Sequence, residues 1–327
     1  MKLLLELSME CEPLARAEAI AAASVLGKKP RVVLEEPGIL VLDSDADPTR
    51  LANRLGLCHY VDRWFGHCSP NELEATACEI DVDGPIRVRS TMVGESSVDL
   101  AATSRKLGGI IGQNRGVDLH SPKSDVRVVF SKTVHIGRVE GAVDRPSFER
   151  RKNRYMPFVY PASLHPKFAR ALVNLSMVPD GGRLLDPFCG TGTILAEASM
   201  IGLKAAGTDF SEKMILGAGK NLAHLNAKAE LHVCDVGKIA QEVGRVDGIA
   251  TDPPYGRSTT TDGESLSQLY GRALDAFHKV LEKGSRVSIA VPDMRLIEKS
   301  KGFRLLENYK LRVHRSLTRN FCVLCRT

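Results

Sequence analysis

Asp186-Pro187-Phe188-Cys189-Gly190-Thr191-Gly192-Thr193 decides how the second half of this 327-residue chain folds. Apolar Leu184-Leu185 precedes it and a helix-forming run from Thr193 to Ile201 follows, so the octapeptide joins a strand to a helix. Glycines at such a junction let the backbone approach a ligand closely and turn tightly into the helix. Three ligands compete for it. A phosphate loop ends in Gly-Lys-Ser/Thr, and no lysine is present. A dinucleotide fingerprint needs a third small residue, which here comes late, at Ala196. S-adenosylmethionine, whose amino-acid end needs no diphosphate cradle, is the third.

Outward from this loop the pattern alternates. Strands are expected at 183–186, 205–209, 230–234, 247–251 and 286–291, with helices at 193–201, 212–225 and 266–281 between them. Two further strands lie near 304–313 and 318–325. Alternation of this kind requires a parallel sheet with helices on both faces. Its strand ends carry carboxylates. Asp209, 17 residues after Gly192, is placed to accept from ribose hydroxyls, and Asp235 from an adenine amino group. A strand-end acid that only caps the helix at Ser211 is the competing role for Asp209. The expected cofactor set is therefore Asp186, Cys189, Gly190, Thr191 and Gly192, with Asp209-Phe210 and Asp235-Val236. Cys189 lacks an evident base and is expected as a small loop residue rather than a nucleophile.

Asp252-Pro253-Pro254-Tyr255 sits at the carboxyl end of the fourth strand, where open α/β sheets bind ligands. Two prolines stiffen the backbone and remove two N–H donors. What remains is acceptors, the Asp252 carboxylate and the Pro253 carbonyl. An exocyclic base amine has two N–H donors and a lone pair tied up in its ring. Accepting those hydrogens turns the lone pair toward a methyl donor and stabilises the positive charge that develops on nitrogen. Tyr255 offers a face on which an extruded base can stack. The alternative is a rigid turn after a buried strand.

The first half contains no glycine-rich loop of this kind. A strand at 3–7, an alanine-rich helix at 13–26, a hairpin of 31–34 with 39–42 around Pro37-Gly38, and a short helix at 48–55 suggest a small α+β unit. A second follows, with strands at 86–89, 125–130 and 133–136 and a helix at 97–108. The formal net charge is +6, and it is uneven. Residues 85–154 hold 14 Lys/Arg against 7 Asp/Glu, and 299–327 hold 8 against 1. Basic segments on an acidic body suggest a directed polyanion contact, with solvated strands and loops as the plain alternative. No apolar run approaches the roughly 20 residues that span a bilayer, and acidic residues interrupt the first apolar stretch, so a cytoplasmic protein is expected. The eight cysteines are too irregular for a disulfide framework. Cys322 and Cys325 have no second ligand pair, so no metal is expected.

With these residues in place, the second half resembles the amino-methyltransferases whose motif reads (Asp/Asn/Ser)-Pro-Pro-(Tyr/Phe/Trp). The longer string Asp252 to Ser258, with Gly256 and Arg257, is similar to the archaeal and eukaryotic tRNA guanosine-10 N2-methyltransferases. So is Tyr160-Pro161-Ala162-Ser163-Leu164-His165-Pro166, which in that family lies against the methionine end of the cofactor and brings Ser163 into the expected site. Val117-Asp118-Leu119-His120-Ser121-Pro122-Lys123 with the strand from Val126 resembles a THUMP domain, Ser121 replacing a common asparagine. The resemblance implies an α/β Rossmann-like methyltransferase domain (160–327) behind a linker (146–159), preceded by α+β ferredoxin-like (1–65) and THUMP (66–145) RNA-binding units. It implies S-adenosylmethionine as cofactor and tRNA as partner, with Lys123, Arg150, Arg151, Lys152, Arg154 and Arg257 on the RNA. Methylation of the guanosine-10 amine, carried to dimethylguanosine, is the implied reaction. Guanosine 6 of tRNA, an rRNA guanosine, or a non-catalytic tRNA-binding protein with a degenerate site are the alternatives. A DNA substrate is not expected, since no DNA-reading module is evident, and a monomer is.

Overall fold

The computed structural model describes every residue except 95, 96, 162, 257–263, 299, 315 and 316, and the side chains of 313, 314 and 317. By internal contacts the residues form two units. One holds 1–12, 27–53 and 58–143; the other holds 13–26, 54–57 and 144–327. Among the described residues no helix is long and apolar enough to cross a membrane.

In the first unit, β1 (Lys2–Leu7) leads into α1 (Glu12–Leu26), a helix that groups with the second unit. The hairpin β2 (Arg31–Glu36) and β3 (Ile39–Asp43) follows, turning at Gly38 with φ +69°. After them come α2 (Pro48–Arg54), β4 (Cys58–Cys68), α3 (Leu73–Cys78), β5 (Ile86–Met92), α4 (Leu100–Ile111), β6 (Ser124–Phe130) and β7 (Val134–Ala142). All seven strands form one sheet, ordered β2-β3-β1-β4-β7-β6-β5. The boundary expected at residue 65 falls inside β4, which pairs with β1 on one side and β7 on the other. β4 shows no simple alternation, because Val61 and the acid Asp62 are both fully buried, side by side across a register shift. Asp62 is matched by Arg127 on β6 at 2.9 Å. The Arg127 guanidinium, also fully buried, bonds Glu6 and lies 3.8 Å from the Tyr60 ring.

The second unit adds α5 (Arg145–Arg150), α6 (Pro166–Leu175), β8 (Arg183–Asp186), α7 (Thr193–Met200), β9 (Lys204–Asp209), α8 (Glu212–His224), β10 (Ala229–Val233) and α9 (Ile239–Glu242). It continues with β11 (Gly248–Thr251), α10 (Leu266–Val280), β12 (Arg286–Val291), β13 (Phe303–His314) and β14 (Leu317–Arg326). The sheet order is β10-β9-β8-β11-β12-β14-β13. Its first five strands are parallel, and β14 enters antiparallel between β12 and β13. From β8 the chain steps outward through β9 and β10, then returns to lay β11 on the other side. That reversal opens a crevice at the carboxyl ends of β8 and β11, where such sheets bind ligands. Leu185, Ile249, Val287 and Ile289 form the sheet's share of the core, packed with Tyr270, Ala273 and Phe277 of α10.

Two segments expected elsewhere belong to this unit. Glu18 of α1, with no exposure, accepts hydrogen bonds from the Gly56 and Leu57 amides and from Asn174 Nδ2, each at 2.8 Å. Arg54 binds Asn174 at 3.0 Å and Asp180 at 2.8 Å. The stretch expected as a linker carries α5 and docks. Arg151 reaches buried Glu197 at 2.8 Å, and the Phe158 backbone exchanges two hydrogen bonds with Asn221.

Candidate active site

The glycine loop leaves β8 with Asp186 almost fully buried, accepting from the Thr251 hydroxyl at 2.7 Å and the Phe188 amide at 3.2 Å. Burial pushes this carboxyl up to about 7 against those two bonds, and the charges of Asp252 and Asp209 push the same way. Gly190 (φ +50°) and Gly192 (φ +81°) take left-handed conformations that side-chain-bearing residues rarely adopt. A side chain on Gly192 would also press on Ala218 at 3.2 Å, whereas the space around Gly190 is open to 3.9 Å. Asp209 Oδ2 accepts from the Gly190 amide at 3.1 Å, and its Oδ1 accepts from the Ser211 amide at 2.9 Å. Asp209 thus ties the glycine loop to the residue that opens α8, the second of the two roles weighed for it. Burial raises its pKa.

Around the loop, the Ser163 hydroxyl lies 3.1 Å from that of Thr191, and Asn221 donates to the Thr191 carbonyl at 3.0 Å. Burial, and then the charges of Asp186 and Asp209, push the Cys189 thiol well above its ordinary range, so it is not a thiolate at neutral pH. Phe210 is half exposed beyond β9. Val236 points its side chain into the core, which leaves only its backbone for a ligand. Asp235 is engaged by Arg272 through both oxygens, at 2.7 and 3.3 Å, and caps the following turn through the Gly237 amide. The Arg272 bonds hold its carboxyl below the usual range.

A buried carboxylate short of counter-charge beside an open glycine suits a cationic amino group. The second acid, at the end of the neighbouring strand, suits ribose hydroxyls. The residues present fit S-adenosylmethionine.

Asp252 leaves β11 at the same crevice. Its Oδ1 accepts from the Tyr255 hydroxyl at 2.5 Å, and its Oδ2 lies 3.2 Å from Arg319 Nη2. Arg319 Nε in turn donates to the Tyr255 oxygen at 2.8 Å. Burial raises the Asp252 pKa, while the Arg319 charge and the Tyr255 bond draw it down. The Pro254 carbonyl accepts from Tyr270 at 3.4 Å, tying the proline pair to α10. Tyr255, expected as a stacking face, is therefore fixed by its hydroxyl, and Asp252 reaches any ligand with both oxygens already engaged.

The expected RNA contacts separate. Arg151 turns inward to buried Glu197, itself shared with Arg170, and its side chain is mostly covered. Lys152 pairs with Glu149. Arg150 pairs loosely with Asp144 at 3.4 Å and Lys123 with Asp83 at 3.7 Å, all well exposed. Arg154 is exposed beside the Tyr155 ring at 4.8 Å. Arg257 lies outside the described residues. Three side chains that the sequence reading missed complete the site: Arg319, Asn221 and Arg272, which bridges Asp235 to Glu264 at 2.8 Å. Nothing local marks them, since each acts on a residue distant in sequence.

The switch-point crevice, glycine loop and acid-Pro-Pro-aromatic turn define a Rossmann-like methyltransferase. Residues 153–320 match the family described as RMKL-like, methyltransferase domain, and the chain belongs to that family. A tRNA (guanine(10)-N2)-dimethyltransferase of Methanothermobacter thermautotrophicus is 33% identical over 331 residues, covering 98% of each chain. Another of that name, from Pyrococcus abyssi, is 31% identical over 94% of this chain and 95% of its own. The crystal structure of TrmN from Thermus thermophilus superposes with a TM-score of 0.55 at 22% identity, covering 100% of both chains.

Proposed function

We propose that this chain transfers methyl groups from S-adenosylmethionine to the exocyclic N2 of guanine in tRNA, at position 10, and carries the reaction to dimethylguanosine. One observation carries this reading: the buried carboxyl of Asp252 at the switch point, in a turn whose two prolines offer no N–H, beside the glycine loop. The position and the second methyl rest on the names of the two full-length relatives.

Asp186 would hold the cofactor's amino group, Asp209 its ribose, and the Gly190 region its close backbone approach. When bound, the cofactor supplies an electrophilic methyl group. Asp252 accepts an N–H of the guanine amine, which turns the nitrogen lone pair toward that methyl and stabilises the charge developing on nitrogen. Pro253 and Pro254 offer no N–H to compete for the amine. The halves of the first sheet, β1–β4 and β5–β7, would be the ferredoxin-like and THUMP units, with exposed Lys123 and, in the second unit, Arg150 and Arg154 contacting phosphates.

The test is incubation of unmodified tRNA with methyl-labelled cofactor, followed by digestion to nucleosides. Label in N2-methylguanosine and dimethylguanosine is expected, and label confined to adenosine or cytidine would sink the proposal. Asp252→Ala should lower turnover by about 10²–10³, the range seen when a preorganised charge partner is lost, while binding tRNA and cofactor nearly as well.

A further inference from the structure

The amine-binding acid does not stand alone. β14 runs antiparallel to β12, so its beginning lies at the carboxyl ends of the parallel strands. Asn320 sits opposite Val291, the last residue of β12, and donates to the Val291 carbonyl at 3.2 Å. The preceding residue, Arg319, is thereby delivered to the level of Asp252 and is almost fully buried there. Asp252, Tyr255 and Arg319 close a ring of three contacts, at 2.5, 2.8 and 3.2 Å. Within it the Tyr255 hydroxyl gives its proton to Asp252 and accepts from Arg319. Its oxygen is thus occupied on both sides and cannot serve as a base.

We infer that Arg319 is a positioning residue for methyl transfer, holding Asp252 ionised and aimed so that its remaining lone pairs face the substrate amine. The inference rests on the role proposed for Asp252. The need for such a residue follows from the surroundings. Among the described residues, the groups that face Asp252 are Asp186 from β8, Tyr270 from α10, Tyr255 from its own turn, and Arg319 from β14. Of these, Arg319 alone is cationic. Burial favours a protonated Asp252, and a protonated carboxyl would meet the amine hydrogens with a hydrogen of its own. A guanidinium is the suitable counter-charge, because it stays charged in a dry site and its fork reaches carboxylate and phenol oxygen together.

Arg319→Met, Arg319→Lys and Asp252→Asn test this in the full-length chain. Replacing Arg319 by Met should move the acid limb of the pH–kcat profile to higher pH and lower kcat at neutral pH by roughly tenfold or more, with the cofactor Kd unchanged. Lys restores the charge without the fork and should return the limb toward wild type with part of the rate. In an Asp252→Asn background the Met change should cost little further, because the charge it serves is gone.

Carbon-13 labelling of aspartate gives a readout independent of turnover. The Asp252 carboxyl signal, assigned by its loss in Asp252→Asn, should titrate at higher pH in Arg319→Met than in wild type. An unmoved titration in folded Arg319→Met, or a kcat loss equal at every pH, would overturn the inference. If Arg319→Met does not fold, the same comparison is made with Arg319→Lys, where an Asp252 titration and acid limb at the wild-type position with a full loss of rate would overturn it. Failure of the proposed substrate would show instead as a wild-type chain that methylates no tRNA while the carboxyl titrations still differ.

Discussion

Asp186 shows at the scale of one residue how burial and function oppose each other. Its carboxyl has a pKa of about 7 in the free protein, raised by burial. A cationic amino group binds the ionised form, so below that pH binding must first expel a proton. Cofactor affinity should therefore tighten as pH rises toward about 7, until the cofactor's own amino group begins to lose its charge. Isothermal titration across pH 5.5–8.5 in buffers of different ionisation enthalpy would measure this. A flat profile, or no proton release at the acid end, would contradict it. The same shift works the other way on folding. The folded carboxyl keeps a proton that the unfolded one gives up near 3.8, so this group's contribution to stability declines between that pH and about 7.

At the scale of elements, the second sheet was legible because most of its parallel strands are short apolar runs punctuated by glycine or a strand-end acid. Those strand ends also carried Asp186, Asp209 and Asp252, so the centre of the site came with the fold. What escaped the sequence was pairing across distance. Arg319 meets Tyr255 from 64 residues away because β14 is inserted antiparallel, and nothing in Leu317-Thr318-Arg319-Asn320 announces it. β4 escaped because its buried Asp62 needs Arg127, 65 residues on. α1 escaped for the same reason: its alanines read as a helix, but its allegiance is set by Glu18 and the groups that bind it in the second unit. Burial raises the Glu18 pKa to about 7 even though three donors converge on the carboxyl. Glu18→Gln would turn an amide toward one of those donors. A loss of about 1–3 kcal/mol, the cost of a buried unsatisfied polar group, is expected in denaturant unfolding. No change would mean that α1 contributes little to the second unit.

Over the whole molecule, charge counted along the chain overstated the free basic surface. Arg87 and Arg89 share Asp125, Arg115 faces Asp81, Lys106 faces Glu74, and Arg127 and Arg151 are spent on buried acids. Exposed residues such as Lys123 and Arg154 are the better places to look for RNA contacts. Lys123→Glu with Arg154→Glu should weaken tRNA binding uniformly across sequences and lower the salt slope by roughly one to two units, leaving cofactor affinity unchanged. An unaltered salt slope would remove both from the interface. Truncation before residue 144 is a poor substitute for these variants, because it also strips α1 and Arg54 from the second unit.

The central claim is an address as well as a chemistry. Its most direct test is mass mapping of ribonuclease fragments from one unmodified tRNA transcript after reaction with the full-length chain. Dimethylguanosine at position 10, absent from a transcript carrying adenosine there, is the predicted result. Methyl groups at another guanosine with position 10 untouched would contradict it.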